Sequence, residues 1–387
     1  MSQKGELTLL AVGDVFINRP SPASIFEGVR SLLGGADLLL ANQEGPVTDR
    51  GQPILGKIEA GSRHIRAAPG SVPAEVEAGF SAVSLANNHM MDYGEEGMFH
   101  TMELLREHGI PYTGAGASLE EARKPVLLER DGTRIAMLGY TSVYPVAGFA
   151  AGKERPGVAT VKVHTAYQAP ENVLYQPGFP AITVTTPDPV EMEAMLADIR
   201  RARQGADLVV VQFHWGVAQG YGRVVGYMKE MGRAAIDAGA DLILGHHPHL
   251  LLGLELYRER LICYSLNHFA FDIFVPWQGW LDTVALKAVI RDGRFQSFSV
   301  APVILAEKSM DPELARGERW QSIHRALEGL SREFGTTFTP EADWLLLGGP
   351  APGTPPPLRA PEVLADSLLP IPYPTSRGKG LAAYFEH

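Results

Sequence analysis

Along the first three quarters of the chain, apolar residues gather in short runs that break off at a polar or ionisable side chain. LTLLAVGDV (7–15) ends at Asp14, GGADLLLANQEG (34–45) at Asn42 and Glu44, and AGFSAVSLANNHMMDYG (78–94) at Asn88 and His89. QGADLVVVQFHWG (204–216) ends at His214, and GADLILGHHPH (239–249) at His246, His247 and His249. A short continuous apolar run is the pattern of a strand buried on both faces. Between the runs the apolar spacing turns helical, in SIFEGVRSLLGG (24–35), GEEGMFHTMELLREHG (94–109), PVEMEAMLADIRRARQG (189–205) and YMKEMGRAAIDA (227–238). Gly109 and Gly239 stand where two of these helices stop. Strand and helix in alternation predict an α/β fold. Asp131-Gly132 and Asp292-Gly293 each divide two apolar runs, a hairpin signal that makes the sheets mixed.

Two regions leave this rhythm. From 145 to 188 the chain carries six prolines with aromatics between them, and a long irregular loop is expected there, serving as a lid or substrate loop. Residues 1–305 therefore read as one domain with 145–188 as its loop. Residues 306–387 read as an amphipathic helix (312–335) followed by a Pro/Gly-rich tail (348–362) and a terminal stretch packing on that domain.

In parallel α/β folds, ligands bind beyond the carboxyl ends of strands. Five strand ends bearing Asp, Glu, Asn and His thus converge on one site. Any one such residue is often a satisfied core group; five at equivalent positions point to a metal. Carboxylates, imidazoles and an amide oxygen suit borderline divalent ions such as Mn, Fe or Zn. Cys263 is the single cysteine, so thiolate sites and an intrachain disulfide framework are excluded. The net charge of −10 offers no basic surplus for nucleic acid or an anionic membrane. No stretch of about 20 apolar residues and no signal-peptide core occurs, so a cytoplasmic protein without a membrane span is expected.

The pieces AVGDV, ANQEGPVTDRG, LANNHMMDYG, FHWG and GADLILGHHPHLLLGLELY…ICYSLNHFAFD, in this order, resemble the CapA family of bacterial capsule and poly-γ-glutamate synthesis proteins. That family is similar to the calcineurin-like metallophosphoesterases. The resemblance implies an α/β/β/α sandwich of two mixed sheets flanked by helices, holding two divalent metal ions. It implies that Asp14 and His249 hold the first ion, that Glu44 bridges, and that Asn88, His214 and His247 hold the second. His89 would face the substrate, with Asp92 either orienting it or capping the helix that follows. In extended backbone, His247 and His249 would point the same way and His246 the other, leaving His246 a structural or supporting role. Two departures stand out. The family's usual Tyr-Ser-Leu-Gly-Asn-Phe is here Tyr264 to Phe269 with Asn267-His268 inside, and Ala218 replaces a glutamate after His-Trp-Gly. His268 is a candidate extra acid/base or ligand, against a plain supporting role.

Two adjacent ions can activate water without a protein nucleophile, and neither a Gly-x-Ser-x-Gly nor a P-loop offers another mechanism. The leading expectation is a metal-dependent hydrolase of an anionic small-molecule or peptide-like substrate, through a phosphoester or γ-glutamyl amide bond. Lys57, Arg63, His64 and Arg66, after the Glu44 strand, and Arg223, after His214, are candidates to pin the anion; a solvated basic loop is the plainer alternative. A non-hydrolytic accessory of capsule or poly-γ-glutamate synthesis, and a small-ligand-binding module, remain the rival functions.

Overall fold

The computed structural model describes residues 5–169, 181–218, 222–273 and 279–349. Strand Leu7–Phe16 is the pivot of the larger of two major sheets. On one side it runs parallel to Leu38–Gln43, which is followed by Ala82–Ser84 and Tyr112–Thr113. On the other it lies antiparallel to Asp282–Arg291, then Arg294–Leu305. A short strand, His268–Phe271, pairs with the far end of Leu7–Phe16, from Asp14 onward. In the second sheet, Thr133–Thr141, Leu208–His214, Leu242–His246 and Arg260–Cys263 are parallel neighbours. Antiparallel strands Val126–Arg130 and Leu254–Tyr257 close its two edges.

The sandwich follows from how the apolar runs divide. Successive side chains of a strand face opposite ways. Leu9, Ala11 and Leu40 of the larger sheet meet Met137, Val210, Leu244 and Cys263 of the smaller in one buried core between the sheets. Their neighbours Leu10, Val12, Leu39 and Ala41 pack outward against Ile25, Phe26, Met98, Met102 and Leu105. On the opposite outer face Leu138, Val211, Ile243 and Ile262 pack against Met195, Ile199, Met228 and Met231. Three cores separate four layers, so the architecture is α/β/β/α with two mixed sheets. Runs apolar on every position are required because each central strand is covered on both faces.

Local chemistry sets the boundaries. Asp188 caps helix Pro189–Gly205 by accepting from the Val190 and Glu191 amides. Asp131-Gly132 and Asp292-Gly293 all take positive φ, between 45° and 73°, the geometry of two-residue hairpin turns. The 24–35 stretch is mostly a tight 3-10 turn over Pro22–Val29 that becomes α-helical only at Arg30–Leu33.

The expectation of an irregular 145–188 needs correction at both ends. Gly157–Val158 pairs with Ala115–Gly116, and Val163–Gln168 runs antiparallel to Ile182–Pro187 as a two-stranded ribbon. The ribbon's first strand is largely exposed, so it never carried the apolar pattern of the core strands. Residues 170–180 lie outside the described residues. After 305 the chain stays on the larger sheet. Pro312–Leu314 pairs with Val303 to Leu305, and helix Gly317–Ser331 adds Ile323 and Leu327 to the inter-sheet core. A hairpin of Thr337–Glu341 and Trp344–Gly348 extends the sheet edge. The tail from 350 onward lies outside the described residues.

Candidate metal centre

Asp14 sits where the first strand breaks register with both neighbours, opposite His268 on one side and Asn42 on the other. The approach is close. A Cβ on the preceding Gly13 would lie 1.8 Å from the Asn267 carbonyl oxygen, so only glycine fits there. Asn267 takes φ 66°, a left-handed conformation that asparagine tolerates better than most residues. Its side chain then ties the turn: Oδ1 accepts from the His268 amide at 2.8 Å, and Nδ2 donates to the Asp282 carbonyl at 2.7 Å. The backbone freedom expected of glycine at this position is thus kept by asparagine.

Asn42 donates to Asp14 Oδ1 at 2.9 Å, and Asn87 Nδ2 donates to the Gln43 carbonyl at 2.8 Å. Asn87 Oδ1 also accepts from the Gly45 and His89 amides, both at 3.2 Å. These two asparagines fix the turns carrying Glu44, Asn88 and His89. Asn42 is visible in the strand-end pattern but is given no role by the resemblance, and Asn87 has no sequence signal beyond its place beside Asn88.

The second sheet delivers histidines to the same point. His214 and His246 are register partners at adjacent strand ends. His214 Nε2 lies 2.7 Å from Asn88 Oδ1, and its ring stands 4.9 Å from that of His247. The His247 ring is 5.6 Å from that of His249. His249 reaches Asp14 Oδ2 through Nδ1 and Glu44 Oε1 through Nε2, each at 3.7 Å. Asp14, Glu44, Asn88, His214, His247 and His249 therefore meet in one place. The extended backbone expected for 247–249 is not found: φ is 95° at His247 and 55° at His249. The chain turns sharply, and that turn, not strand alternation, brings the two rings together. Nor does His246 point away, since its Nδ1 is 3.0 Å from Asp14 Oδ1.

The electrostatics are those of a site short of positive charge. Burial, with Asp14 alongside, pushes Glu44 well above the usual carboxylate range. Burial also disfavours the Asp14 charge, but His246 at hydrogen-bonding range, aided by His214 and His249, holds that carboxyl far below its usual value. Burial lowers His214 and His249 strongly and His247 to about 4, leaving their lone pairs free of protons at neutral pH. Asp14 Oδ2, both Glu44 oxygens and His247 Nδ1 are buried without a hydrogen-bond partner among the described residues. Buried unpaired acceptors are costly unless a cation meets them. Ligand atoms of Asp14, His249 and His268 lie within 4.8 Å of one another. The donor set fits borderline divalent metal ions.

A family model described as bacterial capsule synthesis protein PGA_cap matches residues 8–273. The chain belongs to this family. Among curated PGA_cap-type relatives, the capsule biosynthesis protein CapA of Bacillus anthracis is 32% identical over 79% of this chain and 69% of its own length. The PGA biosynthesis protein CapA of Bacillus subtilis is 31% identical over 82% of this chain and 76% of its own. A Mycobacterium tuberculosis protein named as a probable polyglutamine synthesis accessory protein is 26% identical over 81% and 78%. Among solved structures, the purple acid phosphatase PPD1 of yellow lupin overlaps 80% of this chain and 54% of its own, at 9% identity and a TM-score of 0.33.

The remaining candidate residues of this PGA_cap chain take different places. Asp92 does not cap the helix after it; its side chain accepts from the Ile65 amide at 2.9 Å and holds His89 Nδ1 at 2.7 Å. His89 Nε2 is left facing Glu44 Oε1 at 3.9 Å. Lys57, expected to pin a substrate anion, turns inward instead. Its ammonium pairs with Asp92 Oδ1 and lies 3.2 Å from the Asn88 carbonyl and 3.1 Å from His89 Nδ1. Lys57 lies on the short helix Leu55–Glu59, and residue type alone does not reveal its inward turn. Arg63, His64 and Arg66 line a cavity of about 640 Å³, and His64 is bonded to the Ile54 carbonyl at 3.1 Å. The Arg66 guanidinium stacks over the Tyr93 ring at 4.7 Å. Arg223 is exposed just before helix Gly226–Asp237. His268 is fully buried against Trp280 and Phe271.

Proposed function

We propose that this protein is a hydrolase using two divalent metal ions on an anionic substrate, through a phosphoester or γ-glutamyl amide bond. The observation that carries the reading is the buried pair Asp14 and Glu44. Three of their four oxygens lack a hydrogen-bond partner among the described residues, and neutral imidazoles surround them. Asp14 and His249 would hold one ion, Asn88, His214 and His247 the other, with Glu44 shared between them. Ions of this kind, when bound, lower the pKa of water and stabilise developing negative charge.

The chain's own residues do the rest. Asp92, anchored by the Ile65 amide and Lys57, accepts from His89 Nδ1 and so turns Nε2 towards the Glu44 side. With its proton on Nδ1 the ring presents a free Nε2, a state that burial favours by lowering the His89 pKa, and it can take up a proton there and pass it to a leaving group. Ile65 also fixes the loop whose Arg63, His64 and Arg66 border the cavity, so the Arg66 guanidinium stands one residue from the anchor of the His89–Asp92 pair, in a cavity that Asp49 and Asp272 also line. Guanidinium groups there suit a carboxylate or phosphate. The Bacillus relatives are named for capsule and PGA biosynthesis, which makes γ-glutamyl amides the second bond to test.

No described helix is long and apolar enough to cross a membrane. The test is turnover of aryl phosphate mono- and diesters and of γ-glutamyl anilides with Mn²⁺, Fe²⁺ or Zn²⁺. Turnover abolished by chelation and by His214→Ala is expected. Tight metal binding without turnover of any of these would replace the hydrolase reading by an accessory role, as the mycobacterial relative's name states for that protein.

A further inference from the structure

We infer that His268 is itself a metal ligand, completing with Asp14 and His249 a position that selects a nitrogen-preferring divalent ion. The inference rests on the two-metal reading of the site and specifies which chemistry one of its positions offers.

His268 Nδ1 lies 3.2 Å from His249 Nδ1, and that same His249 atom lies 3.7 Å from Asp14 Oδ2, which has no hydrogen-bond partner among the described residues. Zinc binds imidazole nitrogen at about 2.0–2.1 Å, so two nitrogens in tetrahedral array around it stand roughly 3.4 Å apart. Two of the three spacings are thus already near those of a coordination shell, and all three ligand atoms lie within 4.8 Å of one another. The His268 ring is also held in place. Its centroid is 3.8 Å from that of Trp280 and 4.7 Å from that of Phe271. Its amide is tied to Asn267 Oδ1 and its strand is paired to Asp14. A ring fixed in advance loses little entropy on binding an ion. Burial keeps it neutral at physiological pH, with its pKa lowered to about 3.

Two imidazoles and one carboxylate make a donor set that favours Zn, Fe or Co over Mg or Ca, which prefer oxygen ligands. The Asn88, His214 and His247 position likewise offers two imidazoles, with a neutral amide oxygen in place of the carboxylate. The rival account of the 3.2 Å contact is a hydrogen bond between two neutral rings, and the two accounts separate on zinc binding.

Protein labelled with ¹⁵N-histidine and loaded with zinc is examined by long-range ¹H–¹⁵N NMR. Four metal-bound rings are expected: His214, His247, His249 and His268. Three bound rings overturn the inference, and this count needs no variant. In parallel, zinc binding is measured by equilibrium dialysis for His268→Asn and His268→Gln, with the fold checked by circular dichroism. One of two equivalents should weaken tenfold or more while the other persists. Two equivalents at unchanged affinity in both variants would overturn the role of His268 and leave the two-metal reading intact. No zinc uptake by the wild type would defeat the two-metal reading itself.

Discussion

Replacing Lys57 by methionine removes the one ammonium seated in the His89–Asp92 pair while keeping most of the side chain's bulk. The Asp92 side chain is 0% exposed and that of Lys57 8%, so the substitution strips the partner from a buried carboxylate. Breaking a buried ion pair on one side costs about 3–5 kcal/mol. Asp92 retains the Ile65 amide and His89. Burial also lowers the Lys57 pKa, a sign that the ammonium itself is held at a cost. Both considerations favour the lower end, about 3 kcal/mol. Urea unfolding of wild type, Lys57→Met, Asp92→Asn and the double variant measures it. The double variant should cost less than the two single changes added, by at least about 1 kcal/mol, because residues in contact do not contribute independently. A Lys57→Met loss below about 1 kcal/mol, or strict additivity, would refute the internal role. It would return Lys57 to the substrate-facing group, where KM changes and stability does not.

Other outcomes follow from the same structure. Glu75, buried on helix Ser71–Ala78 without a hydrogen-bond partner among the described residues, is raised by burial from 4.5 to about 8. The unfolded chain ionises first, so this group withdraws stability as pH rises from 4.5 to 8. At 1.4 kcal/mol per pH unit, the full loss is roughly 5 kcal/mol. Glu75→Gln should flatten the pH dependence of the unfolding free energy in that window; an unchanged slope would contradict it. Gly13→Ala forces a methyl group onto the Asn267 carbonyl and should cost about 3 kcal/mol or more, with weakened metal uptake, in denaturant and dialysis experiments. Chelation should lower the melting temperature of the wild type at pH 7 but leave that of an Asp14→Asn/His247→Ala variant unmoved, because ions that bind only the folded state stabilise it.

The sequence was most informative where physical constraint is strongest. Strands covered on both faces must be apolar throughout, so LTLLAV, LLLA, LVVVQF and LILG revealed the buried strands of an α/β fold, while their division into a two-sheet sandwich was implied by the family resemblance. Their ends revealed Asp14, Glu44, His214 and the 246–249 cluster. Two-residue Asp-Gly turns require positive φ and identified both hairpins. Harder to read was whatever depends on side-chain reach. Nothing in GKIEAGSRHIR separates Lys57, which turns inward, from Arg63 and Arg66, which border the cavity. The left-handed turn at His247 and His249 defeats an argument from strand alternation, although it reaches the same convergence by another route. The exposed ribbon Val163–Gln168 and Ile182–Pro187 buries too little to impose a pattern. The Thr337–Gly348 hairpin turns through Ala342-Asp343, which lacks the glycine or asparagine that marks a two-residue turn in a sequence.

Metal content per chain tests the central claim most directly. Elemental analysis is made on protein purified without a histidine tag or added metal, then after titration with Mn²⁺, Fe²⁺ and Zn²⁺, beside the Asp14→Asn/His247→Ala variant. The account predicts close to two equivalents bound by the wild type and little or none by the variant. A folded wild type that neither carries nor takes up metal would contradict it.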